Sequence, residues 1–204
     1  MSKKDNLIKA ACKLFSSNGF MQTSVAEICS EAGANIAAVN YYFSSKENLY
    51  REVWSYAYKK AEDKWPVMKE GGTDEERLRY FIENMINRIF DKGPAGMFPL
   101  MIGREITEPS DCLQDLIESF LMPIGQYLIS IIKSILGSKA DPLTIYHHKQ
   151  SIIGQYSFYS FSRSVREIKE RLNVIPISTP EQITTHIVNY SLAGLRDTRE
   201  RLEL

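Results

Sequence analysis

Apolar residues return every three or four positions along most of this chain, the spacing that keeps one face of a helix against a core. Leu7, Ala11, Leu14 and Phe15 form such a stripe, and Asn18-Gly19 stops it. Ser24 and Glu27 have the spacing of a capping box ahead of Val25, Ile28, Cys29 and Ala32, a two-turn helix that Gly33 ends. Asn35 can cap a third short helix running to Tyr42. Ser44 to Glu47 reads as another capping box, opening a longer helix over 45–65 that Pro66 closes. Thr73 to Glu76 opens a helix reaching Phe90, and "AGMFPLMIGREIT" reads as a short apolar helix with Pro99 in its first turn or at a kink. Residues 111–136 read as one long helix carrying Pro123. Asp141-Pro142 and Thr179-Pro180 each set an N-cap before a first-turn proline, which predicts long helices over 143–171 and 180–202. No run alternates long enough for a strand, and Pro176 makes "LNVIPIST" a loop. The expected fold class is all-α.

The short helices within residues 1–48, with the second and third joined by "EAGAN", describe a helix-turn-helix. Ala26, Ile28, Cys29, Ala32 and Val39 lock the pair together, which leaves the outer side of the third helix for a DNA major groove. Gly33 supplies a turn that a Cβ would obstruct. Asn35, Ala37, Ala38 and Asn40 lie at the start and along the outside of that helix. Asparagine can read adenine bidentately, and alanine or Ile36 can touch a thymine methyl. Tyr41 and Tyr42 can aim hydroxyls at phosphates. Lys46, and Thr23 or Ser24, stand beside free backbone N–H groups at helix starts, where phosphate binds. Phe43 has no polar handle and belongs in the core.

Net charge is zero over 204 residues, but its distribution is uneven. Residues 1–60 hold eight cations against five anions, a +3 tilt that suits a polyanion at the N-terminal end only. The N-terminus lacks the apolar stretch of an export signal, and no uninterrupted apolar run approaches the ~20 residues of a membrane span. Cys12, Cys29 and Cys112 are odd in number and show no CxxC spacing, as expected of buried thiols in a reducing cytoplasm.

With these residues in view, 5–50 resembles the DNA-binding domain of the TetR/AcrR family of bacterial transcriptional regulators. The matching pieces are "FSSNGF", "TSVAEICSEAG" and "YYFSSKENL", in order and correctly spaced. "NIAAVNYYF" and "IGREITEPS" are similar to a CecR-like branch. The resemblance implies a larger helical ligand-binding and dimerisation domain over 49–204. By position it assigns phosphate contacts to Thr23 or Ser24, Tyr41, Tyr42 and Lys46, and base contacts to Asn35, Ala37, Ala38 and Asn40. The chain departs from many members in lacking a cation on the recognition helix, which leaves the operator sequence open.

In the larger domain, Ile152, Tyr156 and Tyr159 on one long helix and Ile187, Tyr190 and Gly194 on another are expected at a homodimer interface, packed as a four-helix bundle. Trp54, Tyr58, Met97, Phe98 and Met101 suit an adaptable apolar pocket, with Arg104 placed to meet a ligand anion. The function expected is a repressor that a small hydrophobic effector releases from a palindromic double-stranded operator. The competing class is a small-molecule carrier with a vestigial helix-turn-helix. No enzyme is expected, since no nucleophile–base or carboxylate constellation is present. No cofactor, metal or membrane partner is expected either: His147 and His148 diverge by about 100° on a helix, and His186 is remote.

Overall fold

The structure, a computed structural model, describes residues 2–174 and 176–203. Ile175, in the expected loop 172–179, and the two chain-end residues lie outside the described residues. Every regular element among the described residues is helical. The helices are α1 (Lys3–Asn18), α2 (Val25–Ala32), α3 (Ile36–Phe43), α4 (Lys46–Lys64), α5 (Asp74–Phe90), α6 (Met97–Thr107), α7 (Leu113–Leu116), α8 (Met122–Leu136), α9 (Pro142–Phe161), α10 (Arg163–Arg171) and α11 (Pro180–Glu203). A 3₁₀ turn, Pro94–Gly96, precedes α6, and a π-helical turn, Ile117–Leu121, separates α7 from α8.

The caps account for most boundaries. Ser24 and Glu27 close a capping box at α2, Thr73 and Glu76 exchange bonds at α5, and the Asp141 carboxylate accepts the N–H groups of Leu143 and Thr144. Gly33 ends α2 in the left-handed region at φ 63°. Nothing lies within 4 Å of a Cβ added there, so Gly33→Ala meets backbone strain alone. We expect it to cost about 1 kcal/mol and to lower Tm by about 2–4 °C in a thermal melt.

Three boundaries differ from the expectations. The box at Ser44 does not form: Ser44 ends α3 at φ 67°, and Ser45 caps α4 by accepting the Asn48 N–H at 3.2 Å. The helix expected over 111–136 is interrupted, because Pro123 has no N–H for the Ser119 carbonyl and the preceding turn widens to π. The helix expected over 143–171 breaks at Ser162, whose hydroxyl donates to the Phe158 carbonyl at 2.6 Å while Arg166 Nη1 takes the Tyr159 carbonyl at 2.9 Å. Pro99 sits inside the first turn of α6.

The chain forms two compact units, and the first extends well past the helix-turn-helix. It comprises Met1–Lys64 and Asp91–Phe120, with α1 packed on α2, α3, α4 and α6. Leu7, Phe15, Ile28, Leu49, Tyr50 and Trp54 fill its core. The second comprises Trp65–Phe90 and Leu121–Leu204, with α5, α8, α9 and α11 packed on one another and α10 resting on α9. The 24-residue stretch Leu113–Leu136, at a mean hydropathy of 1.4, is long and apolar enough to cross a membrane, a feature missed by counting uninterrupted apolar residues. From Ile124 onward its apolar side, including Leu128, Ile131 and Ile132, is core of the second unit.

Candidate nucleic-acid interface

The α3 surface follows from its own period. Val39 and Phe43, four residues apart, are 1% and 4% exposed and hold the helix to the first unit. Ile36, Ala37, Asn40 and Tyr41 are exposed on the other side, and Ala38 is half-buried. Asn35 caps the helix by accepting the Ala38 N–H on Oδ1 at 3.0 Å, so only its amide N–H groups remain to donate to a base edge. The outward side chains at 37 and 38 are single methyls, which allows backbone to approach a groove floor. Helix α3 carries no charge, so DNA attraction has to come from its neighbours.

Tyr41 is 82% exposed, an extreme value for a tyrosine on a packed domain. Tyr42 is also exposed and meets the Tyr41 ring edge-on at 4.9 Å, so the pair forms a rigid aromatic step carrying two hydroxyls. Ser24 is exposed at the start of α2, but Glu27 already occupies it: the carboxylate accepts the Ser24 N–H at 2.7 Å. That backbone bond, then the Ser24 hydroxyl, holds Glu27 below the usual carboxylate range.

Two members of the expected phosphate set are placed differently. Thr23 is buried, and its hydroxyl donates to the Gly19 carbonyl at 2.8 Å, so it is a structural tie and is withdrawn from the set. Lys46 stands first in α4, but its ammonium lies 4.1 Å over the Phe20 ring, and burial pulls its pKa down against the opposing pull of Glu47 and Glu27. Its charge is therefore held on an aromatic face and does not reorient free in water. Lys4, which the motif did not single out, lies 5.5 Å over the Phe43 ring and pairs with Glu52 at 3.3 Å.

The expected ligand residues divide. Trp54, Phe98 and Met101 are fully buried, and Tyr58 is half-buried. The Trp54–Phe98 and Tyr58–Phe98 rings lie 5.5 and 5.3 Å apart, and Phe120, unmarked in the sequence, closes the cluster 5.3 Å from Tyr58. Met97 is half-buried, with its sulfur 3.3 Å from Cys12 Sγ. Arg104 is not in this cluster: it is exposed and donates to the Ser17 carbonyl. One helical step away, Glu105 is 3% exposed and takes the inward place. Its Oε1 accepts the Tyr50 hydroxyl at 2.7 Å, and its Oε2 accepts the Ser110 N–H and hydroxyl at 3.0 and 3.1 Å. Burial, then the Glu105 bond, pushes the Tyr50 phenol far up.

The expected dimer residues also divide. Ile152, Tyr156 and Ile187 are core of their own second unit, because α9 and α11 turn those stripes toward α5 and α8. Tyr159 and Gly194 are half-buried, and Tyr190 is 66% exposed. Apolar side chains left in solvent include Phe158, Phe161, Val165, Ile168 and Leu172, clustered at the end of α9 and along α10. His148 Nε2 lies 3.0 Å from the Thr198 hydroxyl, and burial first, then Arg201 and His147, lowers its pKa. Among the described residues no group of three or more His, Cys, Asp or Glu is arranged to hold a metal. Burial pushes all three thiols up, Cys12 to about 12.

Residues 7–53 match the family described as bacterial regulatory proteins, tetR family, and residues 74–195 match the C-terminal domain of the HTH-type transcriptional dual regulator CecR. CecR of Shigella flexneri is 28% identical over 164 residues, 74% of this chain and 73% of that protein. Among solved structures, the fatty acid degradation regulator FadR of Bacillus halodurans superposes with a TM-score of 0.71 at 18% identity, covering 96% of this chain and 97% of that one. AibR in complex with isovaleryl coenzyme A and operator DNA gives a TM-score of 0.70 at 16% identity, covering 93% and 97%. All three are regulators, and none is an enzyme.

Proposed function

This chain belongs to the TetR family of bacterial transcriptional regulators, with a CecR-type C-terminal domain, and from that premise we propose that it is a dimeric repressor released from a palindromic operator by a small apolar ligand. It acts in the cytoplasm, on DNA. The observation that carries the reading is the exposed Tyr41 near the end of an α3 whose other outward residues are mostly small or amide-bearing. In this reading residues 1–48 are the DNA-binding domain. Asn35, Ala37, Ala38 and Asn40 face base edges, and Ser24, Tyr41, Tyr42 and Lys46 hold phosphates. Residues 49–204 sense the ligand and dimerise.

Two α3 helices must sit about 34 Å apart, one duplex turn, to enter successive major grooves together. The second copy is expected to cover the apolar side chains of α9 and α10 together with Tyr190, since a palindrome requires two-fold pairing of like surfaces. Val165→Asp with Ile168→Asp should therefore convert a dimer to a monomer in analytical ultracentrifugation and lower operator affinity. A variant pair that stays dimeric moves the interface elsewhere.

The effector class is supported by Trp54, Tyr58, Phe98 and Met101 on α4 and α6, and by the acyl thioester and fatty-acid regulation that the similar structures' descriptions name. A ligand favouring a tilted α4 by only ~1–3 kcal/mol weakens DNA binding five- to a hundredfold. The test is selection of bound duplexes from a random pool, followed by retardation assays with cell extract. A palindromic consensus and an extract component that abolishes retardation are expected. A protein that retains no duplex at low ionic strength overturns the reading.

A further inference from the structure

Arg104, placed outside the aromatic cluster, holds the end of α1 instead. A helix runs out of its own donors over its last turn, and α1 carries no basic side chain there. The Ser16 and Ser17 hydroxyls do not close that end, since both donate back to the Lys13 carbonyl. The Ser17 carbonyl accepts from the Arg104 guanidinium, 87 positions away along the chain. The stem of the same side chain lies on the turn that follows. Arg104 Cδ is 3.7 Å, and Glu108 Oε2 3.8 Å, from where a Cβ at Gly19 would stand. On the inner side of the turn, the Phe20 ring lies 4.8 Å from that of Tyr50, whose hydroxyl donates to Glu105. Consecutive residues of α6 therefore grip the turn between α1 and α2, one from solvent and one through the core.

Two of the expected phosphate anchors are built on that turn. The Gly19 carbonyl accepts the Thr23 hydroxyl at 2.8 Å, and Ser24, the next residue, caps α2. The Phe20 ring carries the Lys46 ammonium 4.1 Å from its centre. We propose that Arg104 is a positioning residue for DNA: by holding the Ser17 carbonyl from α6, it fixes the turn that sets Ser24 and Lys46 against the DNA backbone. The proposal rests on the phosphate contacts assigned above. A guanidinium suits this place because it donates to a carbonyl at a helix C-terminus, where the helix dipole also favours its charge. The tie is exposed, so it adds little to stability, and water can take its place on the carbonyl. What it removes is motion of the turn, and a shift of about 1 Å is enough to break a hydrogen bond to a phosphate.

The test is Arg104→Met in the full-length protein, which keeps an apolar stem over Gly19 and removes the donors. Duplex binding should weaken about five- to tenfold, while Tm falls by no more than about 2–4 °C. The dependence of log K on log salt should lose about 1 unit of slope, as for Lys46→Ala. Combined with Lys46→Ala, the variant should lose that same single unit, because both changes remove one contact. Amide hydrogen exchange should quicken at Phe20, Thr23 and Ser24 and hold at Leu49 and Val53. Arg104→Lys, which can still donate to Ser17, should recover most of the affinity. Unaltered affinity in Arg104→Met overturns the proposal. So does a double variant whose slope falls by about 2 units, which would make Arg104 a phosphate contact in its own right. Uniformly faster exchange, the mark of a general loss of stability, overturns it as well. A parent that retains no duplex fails the DNA-binding reading instead, and the exchange rates then decide whether Arg104 holds the turn.

Discussion

Tyr41→Phe combined with Tyr42→Phe is expected to weaken operator binding on the order of 100-fold, with no loss of stability. Each substitution removes one hydroxyl, and a hydrogen bond to a charged phosphate is worth roughly 1.5–3 kcal/mol. Nothing in the fold depends on those hydroxyls: Tyr41 is 82% exposed, and both rings remain to stack. The loss should be equal on operator and random DNA, since phosphates carry no sequence information. A neutral hydroxyl displaces no counterion, so the dependence of log K on log salt should keep its slope. Lys46→Ala should do the reverse, reducing that slope by about 1 unit, while Asn40→Ala should relax preference at one base pair by roughly 1–3 kcal/mol. Filter binding across a salt series separates the three. Full affinity in the double tyrosine variant would remove these rings from the interface.

The second large effect belongs to a residue outside the DNA surface. Glu105→Leu is expected to destabilise the protein by about 3–5 kcal/mol, because it strands the buried Tyr50 hydroxyl and both Ser110 donors at once. Glu105→Gln keeps one acceptor oxygen and should cost less than half as much. Helix α4 is also tied to α7, by Arg51 and Asp115 at 2.8 Å, but that pair is about half exposed and should contribute no more than ~1 kcal/mol. Urea unfolding of Glu105→Leu beside Asp115→Ala decides between the ties. Equal small losses would mean the buried carboxylate is not what joins α4 to α6 and the turn after it. This tie matters for function because only Ser44 and Ser45 separate α3 from α4.

How much of this was legible differs from residue to residue. The caps at Ser24, Asn35, Thr73 and Asp141 depend on side chains three residues or fewer from the groups they satisfy, so reading the chain locally is enough. The same holds for the outward face of α3, which follows from helical period once Val39 and Phe43 are recognised as core. The failures share another cause. Thr23 and Ser24 are adjacent hydroxyls, and only the Gly19 carbonyl, presented by the turn after α1, shows which is buried. Arg104 and Glu105 are adjacent charges, and the sequence favours the cation in an apolar site. The inward place goes to the carboxylate because Tyr50 and Ser110, far away or across a turn, supply its donors. Ile152, Tyr156 and Ile187 form apolar stripes whether the neighbour is a second copy or another helix of the same chain.

The chain alone therefore determined its helices, most of their ends, and a recognition surface built within some fifty consecutive residues, because caps, turns and period act over a few positions. Tertiary structure decided which of two neighbouring polar residues is buried, which apolar stripe is already covered, and which distant cation closes the end of α1. Several of those outcomes depend on groups far apart along the chain, such as Tyr50 with Glu105, 55 positions away, and no local pattern encodes what a distant helix will present.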